Sequence, residues 1–391
     1  MLAVSVANIL IFSKIANVIE DFGIFGTYQD EANNKSTVLI IPESEKFPAK
    51  LVIDFEKQPG VVIATKVHGT SDFDALKQHL CLLMYAYNNR TQYDILIFTT
   101  IPMSIRKQRK LEEFVHPVKL TIVRDDHLER SLQDQIKALT PDQRDVLARR
   151  CGVNSTDEIG ENWKIICRDG RFDVALSYTW MSEFRSKQIW VHPALQNYTY
   201  MLWMDVDAFA TQVWDKDPVA AFIRNDLFIL YDHFEQGYLG GEEIQRRISS
   251  AFNTTLCKVR LRNGTLTRTL GPDCGPKDGV SMIHGFMHIT NLNFYRTELG
   301  IKWSHALIGD GKFQRIYDDQ MAVTVPSAIL APERSWDMRQ NGMTFNIYHN
   351  FKLDGQDSTV SGFKRFWSTF GKEKFPEAYE SCSPYIKFAG R

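Results

Sequence analysis

Asp205 and Asp207 stand one residue apart at the end of the run Tyr198-Thr-Tyr-Met-Leu-Trp-Met. That run is apolar and aromatic enough to be a central strand, so it delivers two carboxylates to the edge of a sheet. Asp-x-Asp also occurs at Asp72–Asp74 and Asp215–Asp217, where the capping of a following helix accounts for the acids. After Asp207 no helix start needs a cap. The pair therefore has the chemistry of a metal site: carboxylate oxygens, often with one imidazole, suit Mn²⁺ or Mg²⁺, and such a cation offsets the charge of a diphosphate ester. His349, closing Met343-Thr-Phe-Asn-Ile-Tyr, can supply the imidazole or be a structural histidine. Asp318-Asp319 precedes an apolar helical turn, where negative charge complements the helix dipole. His284 and His288 share one strand-like run, and Trp190, Trp203 and Trp214 are core aromatics that could also stack on a sugar.

The elements around these residues read as an α/β fold. Val61–Thr65 is a buried strand, and Ser71–Asp74 can cap a helix carrying Phe73, Leu76, Leu80, Leu83 and Tyr87 on one face. Tyr93–Thr100 and Val118–Val123 are further strands, giving a βαβ unit and a mostly parallel sheet flanked by helices. Ligands of open α/β sheets bind at the carboxyl ends of the strands, so Thr65 and Thr99-Thr100 should share an edge with Asp205. No glycine-rich phosphate loop follows these strands, which disfavours a dinucleotide fold or a P-loop. Thr140-Pro-Asp-Gln143 has the form of a capping box for a helix ending at Cys151, with Gly152 beyond it. Val174–Lys187 is a helix, Asp217-Pro218 opens another, and strands follow at Leu227–Tyr231, His284–Thr290 and Met343–His349. Residues 1–59 read as a peripheral segment, 60–355 as one domain, and 356–391 as a tail wrapping the fold.

With 391 residues, 44% hydrophobic and 24% charged, the chain is an ordinary globular protein. Its formal charge of -1 makes no electrostatic case for nucleic acid or an acidic membrane surface. None of the 6 cysteines has zinc spacing, and Cys257–Cys274 is the favoured disulfide. Asn-x-Ser/Thr occurs at Asn34, Asn89, Asn154, Asn197, Asn253 and Asn263. That is more than the about 2 expected by composition, and it leans towards the secretory pathway. The apolar stretch Met1–Phe12 is too short to span a membrane and reads as a signal-peptide core, the remnant of an anchor, or a plain helix.

Tyr178-Thr-Trp-Met-Ser-Glu-Phe-Arg-Ser186, followed by His192-Pro-Ala-Leu-Gln-Asn-Tyr-Thr-Tyr-Met-Leu-Trp-Met-Asp-Val-Asp207, resembles a signature of the fungal-type Kre2/Mnt1 α-1,2-mannosyltransferases. In that family the segments read Tyr-Arg-His-Met-Cys-Arg-Phe-x-Ser-Gly and His-x-Leu-Leu-x-x-Tyr-x-Tyr-Tyr-Trp-Arg-Val-Glu-Pro-Asp. His288–Arg296 and Asp318–Val323 resemble two later motifs, and the likeness spans roughly residues 60–355. It implies a GT-A-like single domain, the nucleotide-diphospho-sugar transferase fold. It also implies transfer of mannose from GDP-mannose to a glycan or glycoprotein with Mn²⁺, in the Golgi lumen, by a type II membrane protein. By position, Asp207 and His349 would be metal ligands assisted by Asp205, with Tyr178 and Asp319 lining the donor site alongside Thr65. The family's acidic residue facing the anomeric carbon falls on His288, which leaves Asp319 or an ion-pair mechanism to replace it. The family's Arg before the acidic motif is absent. A UDP-sugar donor and a catalytically silent scaffold are the competing expectations.

Overall fold

The computed structural model describes residues 55–69, 72–169, 172–271, 279–309, 313, 319–349 and 359–386, all within one compact unit, Ile53–Arg391. Met1–Phe12, Asn34, Cys274 and Asp318 lie outside the described residues.

Nine strands form the central sheet. Their order across it is Leu256–Arg262, Thr265–Leu270, Ser335–Asp337, Ile229–Tyr231, Met287–Asn291, Tyr200–Met204, Val61–Val67, Asp94–Thr99 and Leu120–Arg124. The last four of these run parallel, as the strand–helix–strand pattern requires. Beyond Tyr200–Met204 the sheet turns antiparallel, apart from the short parallel pair Ser335–Asp337 with Ile229–Tyr231. The sheet is thus mixed, parallel in one half only. The reason is local in one place: Leu256–Arg262 and Thr265–Leu270 are joined only by Asn263 (φ 49°) and Gly264 (φ 76°), a tight hairpin that cannot cross over.

Alternation along the strands separates two cores. Val61, Ile63, Leu202, Met204, Met287 and Ile289 face the helix Phe73–Leu83 and the tail helices Thr359–Phe366 and Pro376–Cys382. Val62, Ala64, Met201, Trp203 and Tyr231 face the helices Glu242–Phe252, Glu298–Ile308 and Asp319–Leu330. The helix Pro141–Cys151 begins with the expected capping box at Thr140 and Gln143 and ends at Gly152, φ 68°. Asp217 caps Pro218–Arg224 by accepting from the amides of Val219 and Ala220. Asp72 instead accepts from the His68 amide. His284 lies outside the strand it was assigned to, which spans Met287–Asn291.

Among the described residues, Cys81–Cys382 and Cys151–Cys167 are disulfide pairs. Cys257 is also disulfide-bonded. Among the described residues, no helix is long and apolar enough to cross a membrane.

Candidate functional site

The strand Tyr200–Met204 ends in a turn closed by the Ala208 amide donating to the Asp205 carbonyl, 2.9 Å. This turn is what brings Asp205 and Asp207 together. His79, buried on the helix Phe73–Leu83, supports it from below through Nδ1 and the Ala208 carbonyl, 2.9 Å. Directly after the turn, Phe209–Ala210 pairs antiparallel with Ile347–Tyr348, Tyr348 opposite Phe209. That short ribbon sets His349 across from the acids. The ring of His349 is then held by stacking on Phe286 at 4.4 Å and 13°.

His349 Nε2 lies 3.5 Å from Asp207 Oδ1 and 3.8 Å from Asp205 Oδ2, and one ligand atom from each residue falls within 4.8 Å of the others. Oxygen and nitrogen ligands at about 2.1 Å from one cation are separated by about 3 to 4.3 Å, depending on whether they are cis or trans. The three side chains therefore fit a single divalent cation, and two carboxylates with one imidazole are a donor set for a hard one.

Asp205 is used on both oxygens. Its Oδ1 accepts from Trp203 Nε1 at 2.7 Å and from Arg185 Nη1 at 3.1 Å, while Oδ2 faces His349. Burial pushes the Asp205 carboxyl up, the Arg185 guanidinium opposes this, and Asp207 adds to the rise. A second cation in the site would favour the charged form.

Arg185 is the centre that sequence reading missed. It sits on a π-helical turn, Phe184–Gln188, that continues the helix Leu176–Glu183. Its Nη1 also lies 2.5 Å from Asp319 Oδ2, and Nη2 donates to the Gly285 carbonyl, 2.5 Å. The guanidinium lies over the Trp203 ring at 4.4 Å. Trp203 stands where the resembled motif has Arg, and the Arg185 guanidinium lies against it from a neighbouring helix. A Cβ on Gly285 would meet Asp319 Oδ2 at 3.1 Å and Arg185 Nη2 at 3.4 Å, so glycine lets this ion pair approach the chain.

The other expected residues divide. Asp319 is nearly buried at the first position of its helix, paired to Arg185. Tyr178 is 40% exposed on Leu176–Glu183, about two turns before Arg185. His288 is 3% exposed, with Nδ1 2.7 Å from Thr290 Oγ1; burial, reinforced by Arg185, lowers it to about 3. It is a neutral imidazole within the layer that holds Trp203. Thr65 is 2% exposed and shares the alternation of Val61, Ile63 and Val67, so its hydroxyl is sealed in the opposite core layer. Its neighbour Lys66, on the other face of the strand, is buried and paired to Asp125. Trp190, Trp203 and Trp214 are buried in the cores.

Lys66 Nζ contacts Asp125 Oδ2 at 3.0 Å, and Thr100 Oγ1 and Trp180 Nε1 donate to the same oxygen at 2.6 and 2.8 Å. Asp125 Oδ1 is buried with no partner among the described residues. This carboxylate forms part of a cavity of about 300 Å³ at the carboxyl ends of the parallel strands, lined also by Asp126, His127, Arg130, Glu183 and Lys187. Glu183 and Lys187 flank Arg185, so one helical segment separates the cavity from the acid–histidine cluster.

No family model and no curated protein matches this sequence. Solved structures do. Core-mannan synthase A (CmsA/Ktr4) from Aspergillus fumigatus, in its Mn/GDP form, matches with TM-score 0.51 at 13% identity, over 77% of this chain and 77% of that one. The mannosyltransferase Ktr4p from S. cerevisiae in complex with GDP matches with TM-score 0.52 at 13% identity, over 85% of this chain and 83% of that one. At this identity the likeness shows the fold: a GT-A-like α/β domain with a mixed sheet flanked by helices, as the motif resemblance implied.

Proposed function

We propose that the chain is a glycosyltransferase that moves a hexose, mannose from GDP-mannose, to a hydroxyl of a glycan or glycoprotein. The observation that carries this reading is the convergence of Asp205, Asp207 and His349 at the carboxyl edge of a GT-A-like sheet. Mn²⁺ bound there would neutralise the diphosphate leaving group. In this reading Asp207 and His349 are its principal ligands and Asp205 contributes Oδ2, the atom left facing His349 once Oδ1 has taken Arg185 and Trp203.

The nucleoside is assigned to the cavity beside Asp125. Its walls mix acceptors and donors, Asp126, Arg130, Gln143, Glu183 and Lys187 among them, and GDP is taken over UDP from the motif resemblance. Tyr178, exposed on the intervening helix, is assigned to the donor side by its place in the resembled motif.

Asp319 takes the role of the carboxylate that faces the developing positive charge at the anomeric carbon. Arg185 orients it, and helix geometry places it at a first turn. His288, buried and neutral, has no part in that step and supports the strand behind Trp203.

The secretory pathway is the compartment this reading requires. It is supported by the disulfides Cys81–Cys382 and Cys151–Cys167 and by exposure of Asn89, Asn154, Asn197, Asn253 and Asn263. The test is donor hydrolysis with GDP-mannose and with UDP-glucose and UDP-galactose, each with and without Mn²⁺. Mn²⁺-dependent turnover of GDP-mannose is expected. Turnover of a UDP-sugar alone would reassign the donor, and neither turnover nor nucleotide binding would leave only a scaffold.

A further inference from the structure

The same sheet edge carries a second polar cluster that the donor reading does not use. Ile229–Tyr231 and Ser335–Asp337 run parallel to each other and in the same direction as Tyr200–Met204, so the residues after them emerge beside Asp205. Asp232 follows the first and Arg339 comes shortly after the second. His233 Nδ1 and Arg339 Nη2 both bond Asp232 Oδ2, each at 2.7 Å. Asp232 is nearly buried, whereas His233 and Arg339 are 29% and 52% exposed at their side chains, so a fixed carboxylate holds two donors towards solvent.

This cluster is joined to the acid–histidine site by rings. His233 stacks on His284 at 4.7 Å, His284 meets Phe286 at 4.8 Å, and Phe286 carries His349. Across the sheet it lies on the far side of Asp205 from the nucleoside cavity, which sits at the Leu120–Arg124 end. A planar guanidinium and an imidazole, both fixed by one carboxylate and partly exposed, are groups that bind vicinal hydroxyls of a saccharide.

We propose that His233 and Arg339, positioned by Asp232, form the acceptor-saccharide subsite, backed by the imidazole of His284, which the buried Phe286 supports from behind. The proposal rests on the glycosyltransferase reading for the order donor, metal, acceptor along the edge, but saccharide binding can be measured without turnover. The full chain with Mg²⁺ and GDP is titrated calorimetrically with methyl α-mannoside and methyl β-galactoside. The wild type should bind at least one of them. His233→Ala and Arg339→Ala should each weaken that binding about tenfold or more, the effect of losing a charge-assisted bond, with GDP affinity and thermal midpoint retained. Asp232→Asn should weaken it by the same route, and His233→Gln should restore part of it. Binding of neither saccharide by the wild type, or unchanged saccharide affinity in both alanine variants, overturns the subsite. Loss of cation-dependent GDP binding in the wild type would sink the donor reading instead.

Discussion

Arg185 ties together two carboxylates from different elements, Asp205 at the proposed cation site and Asp319 at the start of a helix. With side-chain exposure of 8% the guanidinium cannot be lost without leaving both acids partly uncompensated in a dry environment. Asp205, Asp207 and His349 were legible in the sequence because an apolar strand ending in acids is unusual and the motif spacing singles it out. Arg185 was not, because its partners come from other elements and only folding makes them neighbours. Lys66 and Asp125 escaped for the same reason, and Thr65 lies on the opposite face of its strand from Lys66. The assignment of the carboxylate role has a direct check. Asp319→Asn should lower kcat for transfer by about 100-fold or more while cation-dependent nucleotide binding stays within a few fold. His288→Gln should leave kcat nearly unchanged; the reverse pattern in steady-state kinetics would return the role to His288.

The element that positions His349 is the ribbon of Phe209–Ala210 with Ile347–Tyr348, two residues on each strand. No sequence pattern of period two can be read over two residues, so Met343–His349 looked like one longer strand. The Asn263-Gly264 hairpin is the contrary case. Its Asn-Gly pair is a strong local turn signal, legible without any knowledge of which strands meet. These two elements separate stability from function. Phe209→Ala empties a buried site packed against Phe363 and should cost about 3 to 5 kcal/mol, weakening Mn²⁺ affinity as well, because the ribbon carries His349. Gly264→Ala must place a Cβ against the Asn341 amide at φ 76° and should cost about 1 to 2 kcal/mol, leaving Mn²⁺ affinity unchanged. Urea unfolding with Mn²⁺ titration on both variants checks the pair; equal losses of Mn²⁺ affinity would remove the ribbon's special role.

At the scale of the molecule, the disulfide Cys81–Cys382 closes a loop with sequence separation 301, pinning the tail helix Pro376–Cys382 to Phe73–Leu83. Replacing both cysteines with serine should cost about 5 to 6 kcal/mol of unfolding free energy in the chain-entropy account, read from urea unfolding of the double variant. Acid should also act on the fold as a whole. Burial lowers His79 to about 4 and His288 to about 3, while both titrate near 6.5 once unfolded. Between those values the unfolded chain binds more protons than the native one, so stability is full above pH 6.5 and falls as pH is lowered. Each histidine should contribute about 2 kcal/mol of loss between pH 7 and pH 5. Unfolding of His79→Gln at the two pH values should show a smaller drop than the wild type. The mixed sheet was only half legible because antiparallel pairing depends on which strands meet, and short strands carry little of that information.

The central claim is that Asp205, Asp207 and His349 hold a divalent cation that carries a nucleoside diphosphate. Calorimetric titration of GDP into the protein, with and without Mn²⁺, tests it in the wild type and in Asp207→Ala and His349→Ala. Mn²⁺-dependent binding should be present in the wild type, weakened about 10- to 100-fold in His349→Ala, and absent in Asp207→Ala at an unchanged thermal midpoint. Mn²⁺-dependent GDP binding by Asp207→Ala at wild-type strength would contradict the account.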